Sequence, residues 1–321
     1  MIEYGYTLMG EQSDPRWLVR DAVAAEQAGF PFAVMSDHYF PWLPSQGHSP
    51  NAWATLGAVA QATSQLELMT YVTCPILRYH PAVVAQQAAT VDLLSEGRFT
   101  LGLGAGENLN EHVVGAGWPD VDRRHEMLTE AVEIIGALFG GESVDYDGKH
   151  YRVHNAKLWD VGDKPPRVGI AVSGARSCEL AGKHADVMVA VEPRKELGEM
   201  FDTAGGRGKP RVGQLPICFD RDRDRAVERA HDQFRWFAGG WRVNADLPGP
   251  AGFEGASQFV TKDDVAEAIP CGDDVDAVVE AAQAFTDAGF THLAFVQIGG
   301  EEQQPFLDWA EKELLPALNG S

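Results

Sequence analysis

Short apolar runs alternate with amphipathic segments along this chain, and that alternation is what most restricts its fold. The run EYGYTL precedes a helical stretch from Pro15 to Ala28 closed by Gly29, and FPFAVMSD precedes AWATLGAVAQAT. The same cadence follows in LELMTYV with PAVVAQQAATVDLL, and in FTLGLG with the segment around EMLTEAVEIIGALF. In the last of these Met127, Ala131, Ile134, Ile135 and Leu138 recur at helical spacing and make one apolar stripe suited to a sheet.

Beyond a hairpin or insertion from Val144 to Trp159, further strand candidates are RVGIAVSG, DVMVAVE, QLPICF and HLAFVQIG, interleaved with helices such as VDAVVEAAQAFTDAG and PFLDWAEKELLPAL. About eight βα units in 321 residues fit a (β/α)₈ barrel with insertion segments, in one domain spanning 1–321, better than a doubly wound sheet. The Gly- and Pro-rich stretches from Arg194 to Pro210 and from Asn244 to Gly255 read as loops or insertions.

Composition narrows the partners. Asp and Glu number 47 against 26 Lys and Arg, a formal charge of −21, which argues against nonspecific binding to nucleic acid or an anionic membrane and favours a small-molecule partner. No segment has the uninterrupted apolar length that spans a bilayer, and the first residues lack a basic, apolar leader, so a cytoplasmic protein is expected. Cys74, Cys178, Cys218 and Cys271 are scattered and no histidines cluster at zinc spacing, so neither a disulfide framework nor a metal site is expected.

In a barrel the carboxyl ends of the strands face the active site. The second strand candidate ends in SDHYFPW, where His38 can exchange a proton near neutrality, Asp37 can orient it and Trp42 can exclude water. Asp37 and His38 can equally do no more than end the strand and bond the next loop. After the fourth strand, GLGAGENLNEH offers Gly102, Gly104 and Gly106, which would let a flat ligand approach the backbone. It is not a dinucleotide fingerprint, because Glu107 stands where the third glycine would be. Glu107, Asn108, Asn110 and Glu111 bring acids and amides to the same end, with helix capping as the competing role. Arg78 in TYVTCPILRYHPA serves either a scaffold acid or a ligand, and Ser173 and Gly174 in IAVSG form either a phosphate-binding helix start or a plain turn.

Together SDHYFPW, TCPILRYHPAVVAQQAAT, RFTLGLGAGENLNE and IAVSG resemble the luciferase-like flavin and deazaflavin oxidoreductases, and among them the coenzyme F420-dependent glucose-6-phosphate dehydrogenase family. The resemblance runs from Ile2 to the final helix and is strongest in the first half. It implies a (β/α)₈ barrel of the bacterial luciferase-like type that binds coenzyme F420, an 8-hydroxy-5-deazaflavin, at its carboxyl-end mouth, and a homodimer.

By the same resemblance His38 is the catalytic base beside Trp42, Glu107 handles the proton at the ring's pyrimidine end, and Glu11 is a further acid in the pocket. Asp37 and Asn110 correspond to cofactor contacts, and Tyr71 and Val72 to a pair joined by a non-prolyl cis peptide behind the ring. Cys74, Ala105, Gly106, Ser173 and Gly174, within the matching segments, complete the expected cofactor contacts. The match departs in the second half: family members hold the sugar phosphate with two lysines and an arginine, whereas DDVAEAIPCGDD has no arginine and Arg194 or Lys195 replaces only one of the three. Losing such charge-assisted bonds, at roughly 1.5–3 kcal/mol each, disfavours glucose 6-phosphate as substrate. The expectation is therefore hydride transfer between another alcohol or sugar carbon and the deazaflavin. An FMN-dependent monooxygenase and a non-catalytic deazaflavin-binding protein are the alternatives.

Overall fold

Strand β2 (Phe32–Met35) shows how the barrel is built. Phe32 and Val34 alternate with Ala33 and Met35, and all four are buried, so both faces of the strand need apolar cover. Phe32 and Val34 join Met69, Val187, Val189, Val212 and Ala294 in a cluster that fills the barrel, while Ala33 and Met35 belong to the larger layer between sheet and helices.

The computed structural model describes residues 2–320. Strands β1 (Glu3–Leu8), β2, β3 (Glu67–Thr70) and β4 (Phe99–Leu103) supply the first half of the barrel. An antiparallel hairpin, β5 (Val144–Asp147) and β6 (Arg152–Ala156), stands outside it. Strands β7 (Arg167–Ala171), β8 (Val187–Val189), β9 (Arg211–Ile217) and β10 (His292–Gln297) complete the second half. The eight barrel strands pair in chain order and β10 closes on β1 in parallel register, giving a (β/α)₈ barrel.

The helices start and stop where side chains dictate. Pro15–Gln27 opens with proline in its first turn and with the Asp14 carboxylate accepting the Arg16 amide at 2.9 Å. The stripe expected on Val121–Phe139 is buried as its periodicity requires. Among the described residues no helix is long and apolar enough to cross a membrane.

Two stretches expected as loops are partly helical. Lys195–Phe201 forms two turns that bury Leu197 and Phe201, one turn apart, and Pro250–Ala256 buries Phe253. Strand β3 is also shorter than its apolar run: it ends at Thr70, and the chain leaves through a cis peptide between Tyr71 and Val72.

Candidate active site

The carboxyl ends of β1 to β4 bring together the charged residues singled out in the sequence. After β1 the chain makes one tight turn, Gly10–Gln12, that buries Glu11. Glutamines lock this turn: Gln12 Nε2 donates to the Gln297 carbonyl at 2.7 Å, and its Oε1 accepts the Gly299 amide at 2.9 Å. Glu11 is thereby fixed under His38, and its Oε2 accepts the Ser36 hydroxyl at 2.7 Å.

His38 follows β2 and is almost enclosed. Its Nδ1 lies 3.0 Å from Glu11 Oε1, but the N–H is turned off that oxygen, so the pair is a close charge contact rather than an aligned hydrogen bond. Its Nε2 makes no hydrogen bond among the described residues and faces Glu107 Oε2 at 3.9 Å. Burial is the largest influence on the ring and opposes its charge; Glu11, and after it Glu107, outweigh burial and raise the His38 pKa to about 9. On Glu11 burial is again the largest influence and acts upward, yet His38 and Ser36 prevail and hold the carboxyl below its ordinary value.

A second charge cluster lies behind the first. Arg78 donates to the Asp37 carbonyl at 2.7 Å, sits 3.2 Å from Asp37 Oδ1 and 3.4 Å from Glu111 Oε1, and its backbone amide donates to Glu111 Oε2 at 2.8 Å. Thr73 adds a hydroxyl to Asp37 Oδ2 at 2.8 Å. The Asp37 carboxylate is thus committed to the scaffold, and Arg78 serves scaffold acids, one of its two sequence readings. Asn110 is likewise engaged: its Oδ1 accepts the Tyr39 amide at 2.8 Å and its Nδ2 donates to Glu107 Oε2 at 3.1 Å, tying the loop after β4 to the His38 turn.

Gly102 in β4 and the glycines just after it make room for the end of β3 and the segment that follows it. A methyl group on Gly102 would lie 1.9 Å from the Thr70 carbonyl oxygen, and one on Gly106, at φ +74°, would lie 2.3 Å from Cys74 Sγ. Gly104 packs in the same way on Val72. Burial and then the nearby Glu111 push the Cys74 thiol up, so it stays protonated.

Across the mouth, the Ser173 and Gly174 amides, offered to a phosphate by the sequence, both donate to Ser177 Oγ, at 3.0 and 3.2 Å. What remains at the start of helix Ala175–His184 is the exposed Ser173 and open space beside Gly174. Arg194 contacts Glu196 at 2.8 Å and Glu192 at 3.8 Å.

The sequence reading missed Trp236 and Phe253. Trp42 packs at 4.8 Å between ring centres from His38, stacks on Trp236 at 4.0 Å with planes 9° apart, and meets Phe253 edge-on at 5.0 Å. The available signal was FRWFAGGW, with four aromatic residues in eight.

With this geometry in view, known proteins were compared. The model of the family described as luciferase-like monooxygenase matches residues 2–292. A protein of Beutenbergia cavernae named F420-dependent glucose-6-phosphate dehydrogenase is 34% identical over 99% of this chain and 98% of its own length. One of Mycobacterium tuberculosis named F420-dependent hydroxymycolic acid dehydrogenase is 35% identical over 98% of this chain and 88% of its own. A solved F420-dependent secondary alcohol dehydrogenase, in complex with an F420-acetone adduct, superposes with TM-score 0.87 and 27% identity over 99% of both chains.

Proposed function

This chain belongs to the luciferase-like family, and on that premise we propose that it is a coenzyme F420-dependent oxidoreductase acting on an alcohol and carbonyl pair, with His38 exchanging the proton on the substrate oxygen. The observation that carries this reading is His38 Nε2, which is without a hydrogen-bond partner at the mouth while the opposite side of the ring is held against Glu11 at 3.0 Å. Relatives of 34% and 35% identity whose names specify F420 support the cofactor.

The residues present fit a flat polar ring. Tyr71, Val72 and Ala105 give a half-buried apolar shelf on the side of β3 and β4, and Glu107 stands at its rim as a hydrogen-bond acceptor. Ser173 and the start of the helix at Ala175 offer an exposed hydroxyl and the positive end of a helix to an anionic tail. When bound, the deazaflavin supplies the two-electron chemistry, accepting or returning a hydride at a ring carbon.

The protein's part is the proton. An alcohol that loses hydride from carbon must also lose the proton from oxygen, and His38 Nε2 is placed to take it; in the reverse direction it returns that proton to the carbonyl oxygen. Glu11 orients the ring and stabilises its charged form, much as a buried carboxylate steadies a catalytic histidine elsewhere. With a pKa of about 9, His38 carries the proton at neutral pH, which suits carbonyl reduction, and alcohol oxidation gains as pH rises. Trp42 and Trp236 limit water at the reacting oxygen.

The test is a titration of tryptophan fluorescence with oxidised coenzyme F420 and, separately, FMN, on the wild type and on His38→Ala. Saturable quenching by F420 over FMN in both proteins, with turnover lost only in the variant, is expected. Preference for FMN would contradict the cofactor, and turnover by the variant would contradict the role of His38.

A further inference from the structure

The segment that carries Trp236 is fastened over the mouth. Ser45 Oγ donates to the Asp232 carbonyl at 2.9 Å and Gln46 Nε2 to the Gln233 carbonyl at 3.0 Å. At its other end the Asn108 amide and Nδ2 donate to the carbonyls of Ala245 and Asp246, each at 3.0 Å. Between these anchors the Trp236 ring is held by aromatic contacts with Trp42, Phe234 and Phe253, and its Nε1 is buried without an acceptor among the described residues.

The wall so formed is apolar. Trp42, Trp236, Phe234, Phe253, Leu43 and Leu109 pack together in one apolar cluster. The cations nearby are taken or peripheral: Arg235 bonds the Asp232 carbonyl at 2.7 Å, Arg194 is held by two glutamates, and Lys195 and Arg242 are exposed. Beneath the wall lie Glu11, Asp37, Glu107 and Glu111, four carboxylates whose cationic partners among the described residues are His38 and Arg78. A phosphate dianion brought here would lose its hydration and meet more negative than positive charge.

A substrate oxygen hydrogen-bonded to His38 Nε2, at about 2.8 Å, would sit beside the ring that Trp42 packs against at 4.8 Å between centres. We propose that the substrate is an uncharged secondary alcohol, or the matching ketone, whose apolar flank lies against the Trp42 and Trp236 wall, and that contact with Trp236 favours the bulkier flanks. The inference rests on the hydride-transfer reading and narrows it to a substrate class.

The experiment has two arms. In the first, kcat/KM is measured with oxidised F420 for 2-propanol, 2-butanol, 2-pentanol, cyclohexanol and glucose 6-phosphate. The expected gain is about fourfold per added methylene until the wall is reached, with glucose 6-phosphate at least about a hundredfold below cyclohexanol. Trp236→Ala raises the KM of cyclohexanol more than that of 2-propanol, and Trp236→Phe, which keeps a ring, restores most of the difference. In the second arm, calorimetry follows cyclohexanone, and separately inorganic phosphate, binding to protein saturated with oxidised F420, a pair that cannot react. Cyclohexanone is expected to bind the wild type more tightly than Trp236→Ala, and phosphate to compete with neither.

Glucose 6-phosphate as the best substrate, or a flat alcohol series, would overturn the inference while leaving hydride transfer intact. An equal loss on every alcohol in Trp236→Ala would reduce Trp236 to a structural role and overturn its part. No turnover of any alcohol or sugar despite F420 binding would overturn hydride transfer itself, and the calorimetric arm would then still show whether the wall holds a neutral ketone.

Discussion

The two halves of the barrel contribute different chemistry to the same mouth. From β1 to β4 come the charged side chains: Glu11, Asp37 and Glu111 are buried, His38, Arg78 and Glu107 half-buried, and all are held by polar contacts. From β7 to β10 come a helix start at Ser173 and Gly174, the Gln297 carbonyl and Gly299 amide that hold Gln12 beside Glu11, and an aromatic segment that carries Trp236 and Phe253. On the proposed mechanism, proton transfer belongs to the first half and the choice of substrate largely to the second. A rigid charged floor can keep one mechanism while an inserted wall changes the molecules admitted.

The strongest way to break this division is His38→Ala. It should cut turnover by about 10²–10⁴-fold and leave F420 affinity nearly unchanged, which steady-state rates and a binding titration measure together. Next in size is Arg78→Met, which leaves Asp37 and Glu111 buried without their cation and should cost about 3–5 kcal/mol of stability in denaturant unfolding. Smaller again is Gly106→Ala. Its new methyl would meet Cys74 at a backbone φ of +74°, so a loss of about 1–3 kcal/mol is expected, with weaker F420 binding from a displaced Glu107. The smallest effect belongs to the second half: Arg194→Ala, whose guanidinium is already held by Glu192 and Glu196, should alter kcat/KM less than twofold. A large loss with a phosphorylated substrate would instead make Arg194 a phosphate ligand and blur the division.

Legibility in the sequence follows the same line. The barrel could be read because each strand is a short apolar run and each helix a long stripe, as Val121–Phe139 illustrates. His38 and Glu107 could be placed at the mouth because strand ends in a barrel point at one end, so a few residues of local sequence suffice; Glu11 entered only through the family resemblance. The packing role of Gly102, Gly104 and Gly106 could not be read, since a glycine that makes room for the Thr70 carbonyl or Cys74 looks like any other in sequence. Lys195–Phe201 was too short to show a period, having only Leu197 and Phe201 as apolar anchors to bury. Trp236 was missed because its meaning depends on Trp42, nearly two hundred residues away in the chain, and only folding brings the two rings to 4.0 Å.

The central claim is that His38, held in its charged form by Glu11, passes the proton to and from the substrate oxygen. The most direct test is the pH dependence of kcat/KM at saturating F420, in both directions, for the wild type and Glu11→Gln. Alcohol oxidation needs unprotonated His38, so its rate should climb with pH through the region of pKa about 9 and then level; carbonyl reduction needs the protonated ring and should hold steady below that region and fall above it. Removing the Glu11 charge should move both limbs to lower pH by more than one unit. Limbs that stay in place in Glu11→Gln, or rates flat across this range in the wild type, would contradict the assignment of the proton to His38.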